Sequence, residues 1–519
     1  MPKNTKLINL KLKYSQNHSY CLLPKILNSN NIPRIFYEIF VRSFCDSNRD
    51  GIGDLNGITS KLDYLVELGV EGIWLTPFCK SNSYHKYDVI DYKSVDPEYG
   101  SMEDLERLIH ESHARGIKVL FDFVINHTSS SHRWFQEAKK GKDNPFRNYY
   151  YWMTPEEIKK RGIEKRRETA DSQETQPWHW AQKGEEEKYY GLFWSEMPDL
   201  NMDNPAVRKE IYEIGRFWLE KGIDGFRMDA AKHIYPDWEV NKAHDFWVEF
   251  RQKMETIKPE VYIVGEVWTS AEKIAPFFRG LKANFNFDLA FAIQDIVKTG
   301  KVEKDIVKML LENYEIFSKE NPDFIDATML SNHDQNRIGS IAEGNIDKLK
   351  VAASLLLSLP GNSYLYYGEE LGMKGTKPDE NIREAFQWNS RFEDHERTNW
   401  RKPKFNSDSK TTPLRFQRED SQSLFNFYKK LIQIRKEIPA LSQISPPNLK
   451  HSAIKHPHVI SFIRPSAAGD VLVIQNVSEK NVVLDFKFQI KQEIFSNKNP
   501  EIKSQKLHLP AYGLGIYLL

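Results

Sequence analysis

Polar residues cluster where short β-rich runs of this chain end. Asp122, Asn126 and His127 close one run, Arg227 and Asp229 the next, Glu266 a third, and His333 with Asp334 a fourth. Taken singly, an Asp after a strand is most often a helix cap or an ion-pair partner. Four such clusters in succession argue against coincidence. Carboxylates that converge from separate strands suit cleavage of a glycosidic bond. That chemistry needs one ionised and one protonated carboxyl flanking an oxocarbenium-like transition state. Arg227, two residues before Asp229, is placed to keep Asp229 ionised.

A second motif is the loop Asp46-Ser47-Asn48-Arg49-Asp50-Gly51-Ile52-Gly53-Asp54. Oxygen-bearing side chains alternate here with glycines that permit tight curvature, a pattern that suits a hard cation such as Ca²⁺. The bland alternative is a solvated acidic turn. An EF-hand is excluded, because its twelfth position is Gly57 rather than Glu and a strand precedes it. A dinucleotide fingerprint is excluded too, since three residues separate Gly53 from Gly57 instead of two. His110-Glu111-Ser112-His113 misses the zinc-protease spacing and reads as helix surface.

These residues need a scaffold that brings distant strand ends together. Met102–Arg115 carries Leu105, Leu108 and Ile109 on one helical face, then Gly116 as a stop, then the apolar run Lys118–Ile125. Pro205–Leu219 turns Ile211, Ile214, Phe217 and Trp218 inward, and Gly222 precedes the run Gly225–Met228. Further strands are expected at Ile35–Phe40, Gly72–Thr76, Val261–Gly265, Asn284–Leu289, Asp326–Leu330 and Ser363–Tyr367. Strands alternating with helices in this number predict an α/β (β/α)₈ TIM barrel, with reactive residues at strand C-termini. The expected division is an extension over 1–33, a barrel over 34–126 and 202–440, an inserted subdomain over 127–201, and a C-terminal antiparallel β-sandwich over 441–519. The insertion is too long for a βα loop and is placed over the active face. Its charged run Lys159–Glu168 reads as a solvated helix face.

Composition narrows the classes. The chain has 519 residues, and 73 Lys+Arg against 72 Asp+Glu leave a net charge of +1, with no general field to attract nucleic acid or an anionic membrane. No stretch reaches the roughly 18 unbroken apolar residues of a membrane span. Three cysteines, Cys21, Cys45 and Cys79, without a C-x-x-C pair argue against a disulfide framework or a zinc site. Met1 to Asn31 is basic but lacks the apolar core of a signal peptide, so a cytoplasmic, monomeric protein is expected. Aromatics at 13% leave some for a cleft, with Trp152, Trp178, Trp180, Trp194 and especially Trp388 as sugar-stacking candidates.

The four clusters, in order, identify the chain as resembling glycoside hydrolase family 13, the α-amylase family, over nearly its whole length. Asp122–His127, Gly225–His233, Gly265–Trp268 and Ser331–Arg337 are similar to the family's four conserved regions, and Met197–Asn201 resembles its fifth. The resemblance implies Asp229 as nucleophile, Glu266 as general acid/base and Asp334 as transition-state stabiliser. It implies sugar contacts from Tyr87, His127, Arg227 and His333, with Lys232 and His233 beyond the scissile bond. Lys86 stands where the family usually has Gly, which would alter the cleft wall. A retaining mechanism implies carboxyls of Asp229 and Glu266 roughly 5–5.5 Å apart. The loop resembles the calcium loop of the oligosaccharidase branch, implying Asp46, Asn48, Asp50, Asp54 and the Ile52 carbonyl as Ca²⁺ ligands. A second Ca²⁺ is implied at Asn126, Asp199 and the His233 carbonyl.

Within the family, Lys232-His233, Ala230 after Asp229, and Tyr84 in place of an exo-type aspartate favour an endo-acting α-amylase on starch, glycogen or maltooligosaccharides. The calcium loop points towards oligo-1,6-glucosidases instead. The alternatives are therefore an oligo-1,6-glucosidase or α-glucosidase, a neopullulanase or cyclomaltodextrinase, or a transglycosylating or isomerising relative. An intact carboxylate trio argues against a catalytically silent binding subunit.

Overall fold

The computed structural model describes residues 32–519 apart from 168, 170, 171 and 173. Eight parallel strands close into a barrel: β1 (Ile35–Ile39), β2 (Gly72–Leu75), β3 (Lys118–Phe123), β4 (Gly225–Met228), β5 (Tyr262–Gly265), β6 (Ala283–Phe285), β7 (Ile325–Met329) and β8 (Asn362–Tyr366). Each pairs with its sequential neighbours, and β1 closes the ring against β8. The strands are buried along their whole length apart from half-buried Lys118 at the start of β3, as a parallel sheet wrapped in helices requires.

Local chemistry sets the element ends. Ser101 and Asp104 form a reciprocal capping box on the helix Met102–Ala114, which buries Leu105, Leu108, Ile109 and Ser112. Asn204 caps the helix Pro205–Glu220, whose proline sits at the first turn. Phe217 on that helix is half-buried, with the ammonium groups of Lys93 and Lys221 near its ring.

One strand expectation fails by half. The run Asn284–Leu289 divides, because the Asn286 side chain accepts the Leu289 N–H at 2.9 Å and caps the helix Phe287–Thr299. Phe287 and Leu289 therefore face the core from a helix. A short apolar run carries no period long enough to distinguish the two.

Residues 127–201 form a small three-stranded sheet of Trp152–Met153, Lys188–Tyr190 and Trp178–His179. It is tied to the barrel where Leu200 N–H donates to the Asn126 carbonyl at 2.9 Å. The Lys159–Glu168 run is not one helical face. The helix Pro155–Arg161 stops at Gly162 (φ +67°), and Arg166 is buried against Asp237 at 3.2 Å. Glu168 lies outside the described residues, as do Cys21 and Met1 to Asn31; Cys45 and Cys79 are buried free thiols.

The C-terminal sheets complete the fold. A five-stranded antiparallel sheet, centred on Val459–Arg464, Val471–Asn476 and Leu514–Leu518, faces a three-stranded sheet of Val482–Asp485, Glu501–Lys503 and Lys506–Leu509. Along Val471–Ile474 the side chains alternate between two cores. Leu472 and Ile474 pack between the sheets, while Val471 and Val473 join the core that surrounds the barrel. No described helix is long and apolar enough to cross a membrane.

Candidate active site

The strand ends converge on one guanidinium. Asp122 of β3 and Arg227 of β4 are register partners, and Arg227 Nη1 lies 2.8 Å from Asp122 Oδ1. The same nitrogen lies 2.6 Å from Asp229 Oδ1, and Nη2 lies 2.7 Å from Glu266 Oε2 beyond β5. Ala230 holds a left-handed conformation (φ +46°) that turns its N–H to Glu266 Oε2 at 3.1 Å. Such strain in a non-glycine residue persists where the surroundings over-determine it. Asp122 also accepts from Trp74 Nε1 and from the Tyr87 hydroxyl, each at 2.9 Å.

Asp334 approaches from the β7 end. Its Oδ2 lies 2.9 Å from His333 Nε2, and its Oδ1 accepts from Arg383 Nη2 at 2.7 Å. Burial alone would raise the Asp334 carboxyl; His333 and Arg383 override this and hold it well below the usual carboxylate range. Glu266 goes the other way. Burial raises it, Arg227 opposes, and Asp229 and Asp334 add repulsion, leaving it at about 7. Burial also raises Asp122, against the pull of Arg227. Two carboxyls beside one cavity are thus driven apart in protonation, the division that acid–base chemistry needs.

These groups open onto a cavity of about 780 Å³ lined by Tyr84, Tyr87, His127, Asp229, Glu266 and Asp334. Subdomain residues Phe193, Trp194 and Met197 form one wall, and the segment from Lys377 to Arg383 forms another. Its size suits a few sugar rings. Burial lowers the pKa of His127 and keeps its imidazole neutral, with Nε2 3.1 Å from the Tyr87 carbonyl.

Arg227 and His333 sit directly beneath the cavity, gripping its carboxylates. Lys232 donates to the Trp268 carbonyl at 3.1 Å, and Trp268 lines the cavity. His233 lies one layer back, its ring 5.7 Å from that of Phe193. Lys86 does not alter the cleft wall. At φ +65° it occupies the conformation that favours Gly, and its ammonium is buried against Asp96 (2.9 Å) and Glu98 (2.7 Å). Trp388 is no cleft residue either, because it packs on Phe44, Tyr64 and Phe386 and donates to the Phe44 carbonyl. Trp178 and Trp152 are subdomain core, and Trp180 is exposed beneath Lys188. Of these tryptophans only Trp194 lines the cavity, half exposed at 52%. Sequence reasoning missed His85, Arg383 and Glu38. A charged residue inside the apolar run Ile35–Phe40 was the available signal for the last.

The family description "Alpha amylase, catalytic domain" matches residues 38–443. The chain belongs to the α-amylase family. It is 42% identical over 482 residues to "Alpha-amylase 3" of Dictyoglomus thermophilum, covering 92% of each chain. It is 37% identical over 407 residues to a 4-alpha-glucanotransferase of Thermotoga neapolitana, covering 78% of this chain and 87% of that one. Among solved structures, an α-amylase from H. orenii superposes with a TM-score of 0.84 at 39% identity, covering 93% of this chain and 99% of that one. The enzyme is a glycoside hydrolase on a TIM barrel with a C-terminal sheet domain.

The two candidate cation sites of the enzyme differ. In the loop Asp46–Asp54 the donors are all oxygen, the chemistry a hard cation takes. Each acid there also folds the loop. Asp46 accepts from the N–H groups of Arg49 (2.6 Å) and Gly51 (2.8 Å), Asp50 from Ile52 (2.8 Å), and Asp54 from Ser47 (2.8 Å) and Gly57 (2.7 Å). Among the described residues no group of three or more His, Cys, Asp or Glu is gathered to hold a metal ion. Asn126 and Asp199 are neighbours where the subdomain joins the barrel. Asn126 Oδ1 is buried without a hydrogen-bond partner, and burial pushes Asp199 up to about 7. A buried acceptor beside a costly buried carboxylate is what a cation would relieve.

Proposed function

We propose that the enzyme is a retaining, endo-acting α-amylase that hydrolyses internal α-1,4-glucosidic bonds of starch, glycogen or maltooligosaccharides. The observation that carries this reading is the convergence of Asp229 and Glu266 on the Arg227 guanidinium, at 2.6 and 2.7 Å, with Asp334 beside the same cavity. Glu266 protonates the glycosidic oxygen while Asp229 attacks the anomeric carbon, giving a glycosyl-enzyme. Water then attacks with Glu266 as base, so configuration is retained. Asp334, held anionic, takes hydrogen bonds from the sugar hydroxyls as positive charge develops. Support for closely spaced carboxyls comes from the two terminal nitrogens of one guanidinium holding both. Tyr84 supports an open cleft: a tyrosine stands in place of the exo-type aspartate, its hydroxyl accepting from Arg383 at 2.9 Å and its ring stacking on Trp400.

Ca²⁺ is proposed as a structural ion, held by Asn126, Asp199 and the His233 carbonyl, and by Asp46, Asn48, Asp50, Asp54 and the Ile52 carbonyl. It would fix the subdomain and the loop, and it takes no part in bond cleavage. A transglycosylating reading is favoured by the similarity to a 4-alpha-glucanotransferase.

A product time course on a maltoheptaoside blocked at its non-reducing end, beside isomaltose and pullulan, tests the assignment. Internal cleavage of the blocked chain with isomaltose untouched is expected. Glucose from isomaltose without cleavage of the blocked chain would replace the α-amylase reading with an oligosaccharidase. Products longer than the substrate would establish transfer.

A further inference from the structure

Glu38 of β1 is a buried carboxylate, 1% exposed, that the mechanism above leaves without a role. Its Oε1 lies 2.6 Å from His333 Nδ1 and accepts the His333 backbone N–H at 3.3 Å. The same imidazole presents Nε2 to Asp334 Oδ2 at 2.9 Å and to the Tyr87 hydroxyl at 2.7 Å. That hydroxyl gives its proton to Asp122 Oδ2, so towards His333 it can only accept. Nε2 therefore donates. Nδ1 faces a carboxylate oxygen and donates as well, and an imidazole that donates from both nitrogens is the imidazolium.

Of the other groups around His333, Tyr87 stacks on the ring at 5.3 Å, and Asp122 adds a weaker electrostatic attraction than Asp334 and Glu38. Trp74 meets the ring edge-on at 5.6 Å, and Arg383 donates from Nε to the His333 carbonyl at 2.9 Å. Arg383 is a second cation that already shares Asp334 with His333. Asp334 alone would thus face two cations, and Glu38 supplies the second anion.

We propose that Glu38 is a positioning residue for Asp334. It fixes the His333 ring and keeps it doubly protonated, so that the imidazolium, with Nε2 2.9 Å from Asp334 Oδ2, holds Asp334 ionised beside the cavity. The proposal rests on the reading of Asp334 as transition-state stabiliser. The electrostatics agree: burial alone would strip the His333 proton, and Asp334 with Glu38 reverses this, raising the ring to about 10.

Two substitutions separate charge from reach. Glu38→Gln keeps an acceptor for Nδ1 but removes the charge, whereas Glu38→Asp keeps the charge and withdraws it by one methylene. Both should lower kcat on the order of tenfold with KM changed less than about twofold. The His333 ring resonance, identified by its absence in His333→Asn, should remain cationic to about pH 9 in the native enzyme and titrate at least about one pH unit lower in Glu38→Gln. In a His333→Asn background, Glu38→Gln should change kcat less than about twofold. Native kcat and native His333 titration in Glu38→Gln would overturn the proposal. So would a loss confined to KM, or the same kcat loss in the His333→Asn background. If Glu38→Gln does not fold, Glu38→Asp and the native titration decide. Asp334→Asn serves as control: full activity there removes the trio reading itself, whereas an inactive Asp334→Asn beside a native-like Glu38→Gln removes this proposal alone.

Discussion

The two ends of β4 carry opposite charge imbalances. At its C-terminal end the Arg227 guanidinium meets three carboxylates, from Asp122, Asp229 and Glu266. Just before its N-terminal end, Asp224 gathers three basic side chains: His113 at 2.6 Å, Lys258 at 2.9 Å and Lys118 at 3.2 Å. Where acids outnumber the base, burial wins and Glu266 is left poised near neutral pH. Where bases outnumber the acid, burial is overridden, first by His113 and then by Lys258 and the Val119 N–H, and Asp224 is held well below the usual carboxylate range. An ionisable group is poised or locked according to which sign is in excess around it. The barrel uses the first arrangement for chemistry and the second for stability.

The largest effect expected from breaking this contrast is at Glu266. Glu266→Gln should lower kcat by on the order of 10³-fold or more, because no other group can protonate the leaving oxygen. In the native enzyme kcat should fall as pH rises through about 7, since the acid is then lost. The same variant should not lose thermal stability at pH 8, and a lower melting temperature there would contradict the view that burial disfavours the Glu266 carboxylate.

Arg227→Lys should cost on the order of 10²-fold in kcat and also lower the melting temperature, because a point charge cannot grip three carboxylates in fixed directions. A kcat near native would mean that one positive charge suffices.

Asp224→Asn should do the reverse, leaving kcat/KM within about twofold while destabilising the fold by about 2 kcal/mol near neutral pH. The folded pKa lies below the unfolded value, so this stabilisation is full above about pH 4 and is lost as pH falls through the folded value. Native and variant melting temperatures should therefore converge in acid. Divergence in acid would refute the ion-cluster explanation.

The smallest effect should come from Lys118→Gln, which removes the most distant cation, itself 29% exposed, and should cost about 0.5 kcal/mol by denaturant melts.

Much of the upper cluster was legible in the sequence because strand termini in a βα repeat can be read from local punctuation. Arg227 and Asp229 follow a short apolar run after Gly222, and the barrel then fixes that they face Asp122 across one register step. The lower cluster was not legible. His113 read as a surface residue on a near-miss zinc motif, yet its Nε2 reaches Asp224 across 111 positions of chain. Trp388 failed for a related reason: an aromatic after the last strand has equal claim to core or cleft until its neighbours are known. Lys86 shows the converse, since its departure from the family's Gly predicted a changed wall, while buried Asp96 and part-exposed Glu98 draw it away.

The sequence by itself determined the strand and helix alternation, the caps that end each element, and which residue types stand at the strand ends. These depend on side-chain period and on hydrogen bonds between residues a few positions apart. Only the tertiary structure decided which carboxyl carries a proton, that Glu38 stands behind His333, and that Asp224 is locked while Glu266 is poised. Each of those depends on burial and on charges brought from other strands, and no local pattern encodes a sum over neighbours hundreds of residues away.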